Sequence, residues 1–367
     1  MNRRMERVMS SEASEAKRWL RNVWYQAGWS DEVTAEARLV RTILDEPILF
    51  HRDGERLFAL LDRCPHRFAP LSEGRFGDGN VTCPYHGLAF DGTGACARNP
   101  HGPVTSAMRV RAYPVLERHS AIWVWMGDPQ LADPNLLPIL SFIDETPPSA
   151  RIRFHMPTKA NYELLTDNIL DLSHTDYIHP SSLGGIMTDA KARSWEEGAS
   201  VVAEWISLDC EPPPAFKAMV PIGGADMWTE VRWYPPALMV LGTSAKPAGV
   251  PRTPQDEAYT LHNMTPETAN STHYFACATR RFLIEDQAFT EYLAAALKHA
   301  FEFEDKGMLE KQQARIGDAD FWDLKPILLP VDAAAVRARR KLANLIANDD
   351  PAALQWPKTE AIEERQA

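Results

Sequence analysis

Two short stretches in the first quarter of the chain carry residues suited to holding a metal: Cys64-Pro-His66 and Cys83-Pro-Tyr-His86, with sixteen residues between His66 and Cys83. Thiolates favour iron–sulfur centres or zinc, and imidazole suits either. A zinc finger of the two-cysteine, two-histidine kind supplies its cysteines first and its histidines afterwards. Here each stretch supplies one of each. That division suits a [2Fe–2S] cluster with both cysteines on one iron and both histidines on the other, and imidazole in place of thiolate raises the potential of such a cluster. A zinc ribbon is the competing reading. Cys96, Cys210 and Cys277 have no Cys or His at ligand spacing and read as buried thiols.

A second set lies in DNILDLSHTDYIH, residues 167–179. His174 and His179 are five apart, about 500° of helical rotation, so they do not stack on a regular helix. A bend or a widened turn between them would bring both imidazoles to one ion. Two imidazoles and one carboxylate form the facial triad of non-haem iron centres, which leaves positions open for O₂ beside a bound substrate. Asp171, Glu304 and Asp305 are the candidate carboxylates, and spacing does not choose among them. Oxygen activation by one ferrous ion needs added electrons. The chain has no Gly-x-Gly-x-x-Gly fingerprint for a nicotinamide or flavin, so electrons must enter from another protein, with the cluster as relay.

Elements of two kinds must position these residues. Residues 21–130 read as an all-β domain: short apolar runs such as RLVRTILDEPILF (38–50), RLFALLDR (56–63) and SAIWVWM (120–126) are bounded by Gly, Pro and Asp. Residues 131–150 are Pro-rich and read as a linker. From 151 to 348 the pattern is α+β. A helix is expected over 161–178, strands separated by Pro-rich loops over 200–283, a long helix over 285–316, and a last helix over about 332–347. Residues 1–20 read as a disordered lead-in and 349–367 as a flexible tail.

Composition sets the outer bounds. A chain of 367 residues, 45% apolar and 24% charged, suits two or three globular domains and needs no disulfide staples. The formal net charge of −11, without a basic cluster, argues against a nucleic-acid partner. No apolar run reaches the eighteen residues of a membrane span. The first residues lack the apolar core of a secretory signal, so a cytoplasmic location is expected.

With both constellations in this order, the sequence resembles the Rieske non-haem iron oxygenases, especially the vanillate O-demethylase and dicamba monooxygenase group. The likeness runs from about residue 20 to 347. It rests on RNVWYQAGW, CPHRFAPLSEG, CPYHGLAFDG, IWVWMGDP, DNILDLSHTDYIH, MTPET and EDKGMLEKQQARI. The resemblance implies that Cys64, His66, Cys83 and His86 hold the [2Fe–2S] cluster and that His174, His179 and Asp305 hold Fe(II). It implies an amide, Asn168, near that iron. It also implies that Asp171 bridges a cluster histidine of one subunit and an iron histidine of its neighbour in a head-to-tail homotrimer. The second domain would have a helix-grip, START-like fold, a curved antiparallel sheet with long helices. A reductase or ferredoxin would donate electrons, and a small aromatic substrate would meet O₂. His262 matches a substrate-contacting histidine of the group. The Asn and Trp that share that task there are replaced by Leu241 and Ala296, which implies a roomier, more apolar pocket. The expected reaction is O-demethylation of an aryl methyl ether. Ring hydroxylation, dihydroxylation or N-demethylation at the same iron is the alternative, and an electron carrier without catalytic iron is a more distant one.

Overall fold

The computed structural model describes residues 18–253 and 257–355. Most of the lead-in expected over 1–20, and residues 356–367 of the expected tail, lie outside the described residues. The described ends are packed. Trp19 and Leu20 are buried, with the Trp19 ring 5.9 Å from that of Tyr162. Leu354 is buried, and the Gln355 carbonyl accepts a hydrogen bond from the Ala199 amide. Trp19, Leu20 and residues up to Gln355 thus belong to packed structure, because apolar contact at Trp19 and Leu354 outweighs the polar sequence around them.

The chain divides into two units, one of residues 21–137 with 267–269 and the other of the remainder. Among the described residues the first unit is built from short antiparallel strands in three sheets. The first expected apolar run is a hairpin, Leu39–Ile43 against Glu46–Asp53, turning at Leu44 and Asp45 with φ of 52° and 65°. Two left-handed residues in a row match the twist of the strands they join. A separate four-stranded sheet, Arg75–Gly77, Asn80–Thr82, Ala89–Asp91 and Cys96–Arg98, carries the second Cys/His loop. Leu49, Leu60, Leu71, Val81 and Phe90 form one apolar core together with Cys64, Cys83 and Cys96.

The second unit holds a large antiparallel sheet. Its described strands run in the order Arg151–Thr158, Ser271–Thr279, Glu257–Thr268, Leu238–Pro247, Ala225–Tyr234, Ser200–Cys210, Lys191–Glu197. The last six strands in sequence form a meander, and the first closes onto the last, leaving the segment between 158 and 191 free to cross the sheet. The stretch expected as a linker carries tight turns at Pro134–Leu136 and Pro148–Ala150 and a helix, Ser141–Glu145, that buries Phe142 and Ile143. Among the described residues no helix is long and apolar enough to cross a membrane.

Two expected helices are broken, both beside the candidate iron ligands. The first runs only over Tyr162–Leu170. Asp171 is extended (φ −129°, ψ 93°), and a tight turn at Leu172–His174 leads into a short helix at Thr175–Ile178. The second is α-helical over Gln287–Lys298, widens to a π-helix over His299–Asp305, and resumes over Lys306–Ile316.

Candidate metal centres

The two Cys/His loops close in the same way. The Cys64 amide donates to the Ala69 carbonyl at 2.8 Å, and the Phe68 amide to the Cys64 carbonyl at 2.9 Å. The matching bonds in the second loop are Cys83 to Leu88 at 2.8 Å and Gly87 to Cys83 at 3.1 Å. Both turns need a left-handed residue at the same place, Phe68 with φ 61° and Gly87 with φ 74°. Glycine adopts that conformation freely, whereas phenylalanine does so at a cost in strain. Cys64 and Cys83 are buried in the apolar core, while His66 is exposed and His86 half-exposed. The two imidazole centroids are 4.5 Å apart. Burial pushes the Cys64 thiol above its ordinary pKa, and the neighbouring Cys83 thiol adds to that shift.

Thiols thus face the core and imidazoles face outward. The set of three or more donors lying within 4.8 Å of one another among the described residues is His174, His179 and Asp305. Cys64, His66, Cys83 and His86 do not close to that single-ion spacing. Four ligands spread over two adjacent irons fit them better than one tetrahedral zinc.

The second set is tight. Asp305 Oδ1 lies 3.1 Å from His179 Nε2 and 3.5 Å from His174 Nε2. Ligands about 2.1 Å from one ion and near a right angle apart lie about 3 Å from each other, so the three donors fit one cation. The outer ring nitrogens are both engaged. His174 Nδ1 donates to the Asp171 carbonyl at 2.5 Å, and His179 Nδ1 donates to Glu304 Oε2 at 2.7 Å. Each bond fixes a tautomer that turns the Nε2 lone pair toward Asp305. His179 Nε2 is buried and makes no hydrogen bond among the described residues, as a metal-directed nitrogen should. Burial alone would lower the His179 pKa, but Asp305 and Glu304 outweigh it and hold it above the usual histidine value. The site therefore attracts positive charge, and a divalent cation would take the proton's place.

Two of the three acids that spacing left unresolved face the same histidine from opposite sides. Asp305 approaches Nε2 and Glu304 approaches Nδ1, both from the widened turn. Asn168 Nδ2 donates to Asp305 Oδ1 at 3.2 Å. Asp171 lies beside His174, but through its carbonyl. Its carboxylate Oδ1 accepts from the Ser173 amide at 3.0 Å, capping the next turn.

The helix bearing Asn168 is pinned from behind. Arg339, 8% exposed on the Ala333–Asn348 helix, donates to both oxygens of Asp167 at 2.9 and 3.1 Å and to Glu163 at 3.1 Å. Burial raises the pKa of both acids although Arg339 opposes it. Arg339→Met leaves two carboxylates without their cation and is expected to cost about 3–5 kcal/mol of stability. The check is the urea midpoint; a loss below about 1 kcal/mol would class the pair with ordinary surface ion pairs.

His174, His179 and Asp305 border a cavity whose other walls include Leu172, Phe216, Leu241, Phe301 and His262. His262 is 1% exposed, and its Nδ1 lies 2.6 Å from Tyr274 Oη. Burial lowers its pKa to about 3, partly opposed by Asp305, so the ring is neutral. Ala296 is half-buried and is not among the described residues that line this cavity; its neighbour Leu297 is. Residue 296 sits one helical step, about 100°, away from the lining position. Thr229, Thr243 and Thr260 also line the wall and were not singled out from sequence. Strand alternation could have found Thr243, which shares a face with Leu241. Tyr274 and Glu304, which stand behind His262 and His179, carry no local sequence signal for that task.

The Rieske [2Fe-2S] domain family matches residues 23–114, and the vanillate O-demethylase oxygenase C-terminal domain family matches residues 158–348. The dicamba O-demethylase oxygenase component of Stenotrophomonas maltophilia is 36% identical over 334 residues, covering 89% of this chain and 98% of that protein. The chloroacetanilide N-alkylformylase oxygenase component of Rhizorhabdus wittichii is 36% identical over 338 residues, covering 89% and 96%. The crystal structure of dicamba monooxygenase bound to dicamba is similar with a TM-score of 0.82 at 34% identity, covering 90% of this chain and 98% of that one.

Proposed function

The chain belongs to the Rieske non-haem iron oxygenases, as the oxygenase component of a multicomponent system with a [2Fe–2S] cluster and Fe(II), and on that footing we propose that it demethylates an aryl methyl ether through the residues described above. Cys64, His66, Cys83 and His86 hold the cluster, and His174, His179 and Asp305 hold the ferrous ion. The observation that carries the reading is the placement of that second set at the wall of an apolar cavity.

When bound, the cluster supplies electrons singly and the ferrous ion activates O₂. The chain's residues do the rest. The Asp171 carbonyl and Glu304 keep both imidazoles in the ligating tautomer. Asn168 holds the Asp305 carboxylate by its amide. Leu172, Phe216 and Phe301 exclude water from the reacting methyl group. His262 orients the ring. One O₂, two electrons and two protons convert the methoxy group to a hemiacetal and one water, and the hemiacetal collapses to a phenol and formaldehyde.

Electrons come from a separate reductase or ferredoxin. We assign their last step to a route between copies of the chain in a homotrimer, from His86 of one copy through Asp171 to His174 of its neighbour. Two features support this. Asp171 and His174 also line a surface groove edged by Ile327 and Leu328, and Ile327 is 90% exposed. His66, Phe68 and Tyr85 are exposed around the cluster site. N-dealkylation is the second reading, favoured by the chloroacetanilide relative.

The test is a panel of methoxyarenes and N-alkyl anilides incubated with the holoenzyme, a reductase and O₂. Phenol and formaldehyde in equal amounts from methoxyarenes are expected. Secondary anilides as the main products would replace the first reading by the second.

A further inference from the structure

The cavity narrows the class of molecule that the site takes. Among the described residues lining it there is no Lys and no Arg; its ionisable side chains are His174, His179, His262 and Asp305. Glu304 stands directly behind His179. A carboxylate or sulfonate on the substrate would leave water for a wall without a cationic side chain, and the two positive charges of bound Fe(II) are offset by Asp305 and Glu304. An isolated anion moved into such surroundings loses far more solvation than neutral donors return.

What the wall does offer is neutral and polar. Thr229 and Thr243 pair across neighbouring strands, and Thr260, opposite Leu241 on the next strand, continues the row. Hydroxyls both donate and accept. The fourth group is His262, whose Nε2 is buried and has no partner among the described residues. The Tyr274 hydroxyl, 2.6 Å from Nδ1, settles which form that nitrogen takes. If Nδ1–H donated to Tyr274, both the tyrosine hydrogen and the Nε2 lone pair would be left without partners. If Tyr274 donates to Nδ1, one group alone is left over, the Nε2–H. The second arrangement costs less, and it makes His262 a neutral donor at the cavity wall. Burial, which keeps this imidazole uncharged, agrees.

We infer that the site takes an uncharged arene bearing a hydrogen-bond acceptor, such as an amide, ketone, ester or second ether, and discriminates against arene carboxylates and sulfonates. The inference rests on the assignment of the cavity as the substrate site and names its substrate class. The acceptor meets His262 Nε2–H, the row of threonines takes remaining polar atoms, and the leucines and phenylalanines cover the ring.

The test uses the anaerobic holoenzyme and matched pairs that differ in charge but little in shape: methoxybenzamide against methoxybenzoate at each ring position, and methoxyacetophenone beside them. Binding is read by calorimetry, and formaldehyde release is read separately under turnover. The neutral member of a pair is expected to bind at least about 100-fold more tightly. His262→Phe should erase the advantage of the amide over unsubstituted anisole while anisole still binds. Leu241→Arg, which places a cation at the wall, should raise affinity for the benzoate, and as a gain of binding it cannot be mistaken for misfolding. Benzoates that bind the unaltered enzyme as tightly as their amides overturn the inference, as does a panel in which no neutral member binds. Tight, charge-selective binding of neutral arenes with no formaldehyde from any methoxyarene leaves this inference standing and removes the demethylation reading instead.

Discussion

Asp305→Ala is expected to abolish turnover and empty the mononuclear site while the visible absorption of the cluster persists in full. Among the described residues Asp305 is the one acid whose oxygen faces both Nε2 atoms, at 3.1 and 3.5 Å. Without it one buried and one half-buried imidazole remain, too few and too neutral to keep Fe(II) against dissociation. Glu304 cannot take over, because it is held on the far side of His179 through Nδ1 at 2.7 Å. The Asn168 amide also loses its acceptor. The residues proposed to hold the cluster belong to the other unit and keep their own core. The checks are iron per chain and product by mass. The expected loss is the one iron beyond the cluster's two, with product below detection. Turnover within about tenfold of the parent, the lower end of what losing a merely supporting carboxylate costs, would remove Asp305 from the ligand set.

Asp171→Asn has the second largest expected effect, for a different reason. The asparagine oxygen can still accept from the Ser173 amide, and the backbone carbonyl still receives His174 Nδ1–H. Local folding and both metal sites should survive. What disappears is a negative charge beside His174 in the groove edged by Ile327 and Leu328. If that carboxylate receives a cluster histidine of a neighbouring copy, turnover driven by the reductase should fall by about 100-fold, at the upper end for a supporting residue of a metal site. Hydrogen peroxide carries O₂, two electrons and two protons in one molecule, so product formed with it should be nearly unaffected. Equal losses with reductase and with peroxide would place the defect at the iron and not in the electron route.

These outcomes depend on groups that differ in how far sequence revealed them. The cluster loops were legible because each holds its Cys and His within four residues, where a turn alone decides their geometry. His174 and His179 were legible as a pair, but the bend expected between them falls before His174, at the extended Asp171 and the tight turn Leu172–His174, and a short helix, Thr175–Ile178, lies between them. The carboxylate was not. It comes from a separate helix, and Glu304 and Asp305 are adjacent, so no period separates them. A π-helical turn, which lets both reach one histidine, leaves no pattern in the side chains. The hairpins of the large sheet followed from apolar runs and Pro-rich breaks, but the pairing of His262 with Tyr274 joins neighbouring strands through their side chains, which alternation alone does not register. The division between the two units falls within residues 131–150, at 137/138, but the burial of Phe142 and Ile143 there was not legible, because proline marks turns whether or not the residues between them are buried.

The proposed chemistry needs two kinds of iron in this chain, one that relays electrons and one that meets oxygen. Its most direct measurement is iron and acid-labile sulfide per chain on anaerobically prepared protein, taken together with the paramagnetic resonance spectrum of the reduced sample. A Rieske-type signal is expected, with sulfide matching a two-iron cluster and one further iron that Asp305→Ala removes without altering the signal. Sulfide-free protein, or a complete cluster signal with no iron beyond it in the unaltered chain, would contradict it.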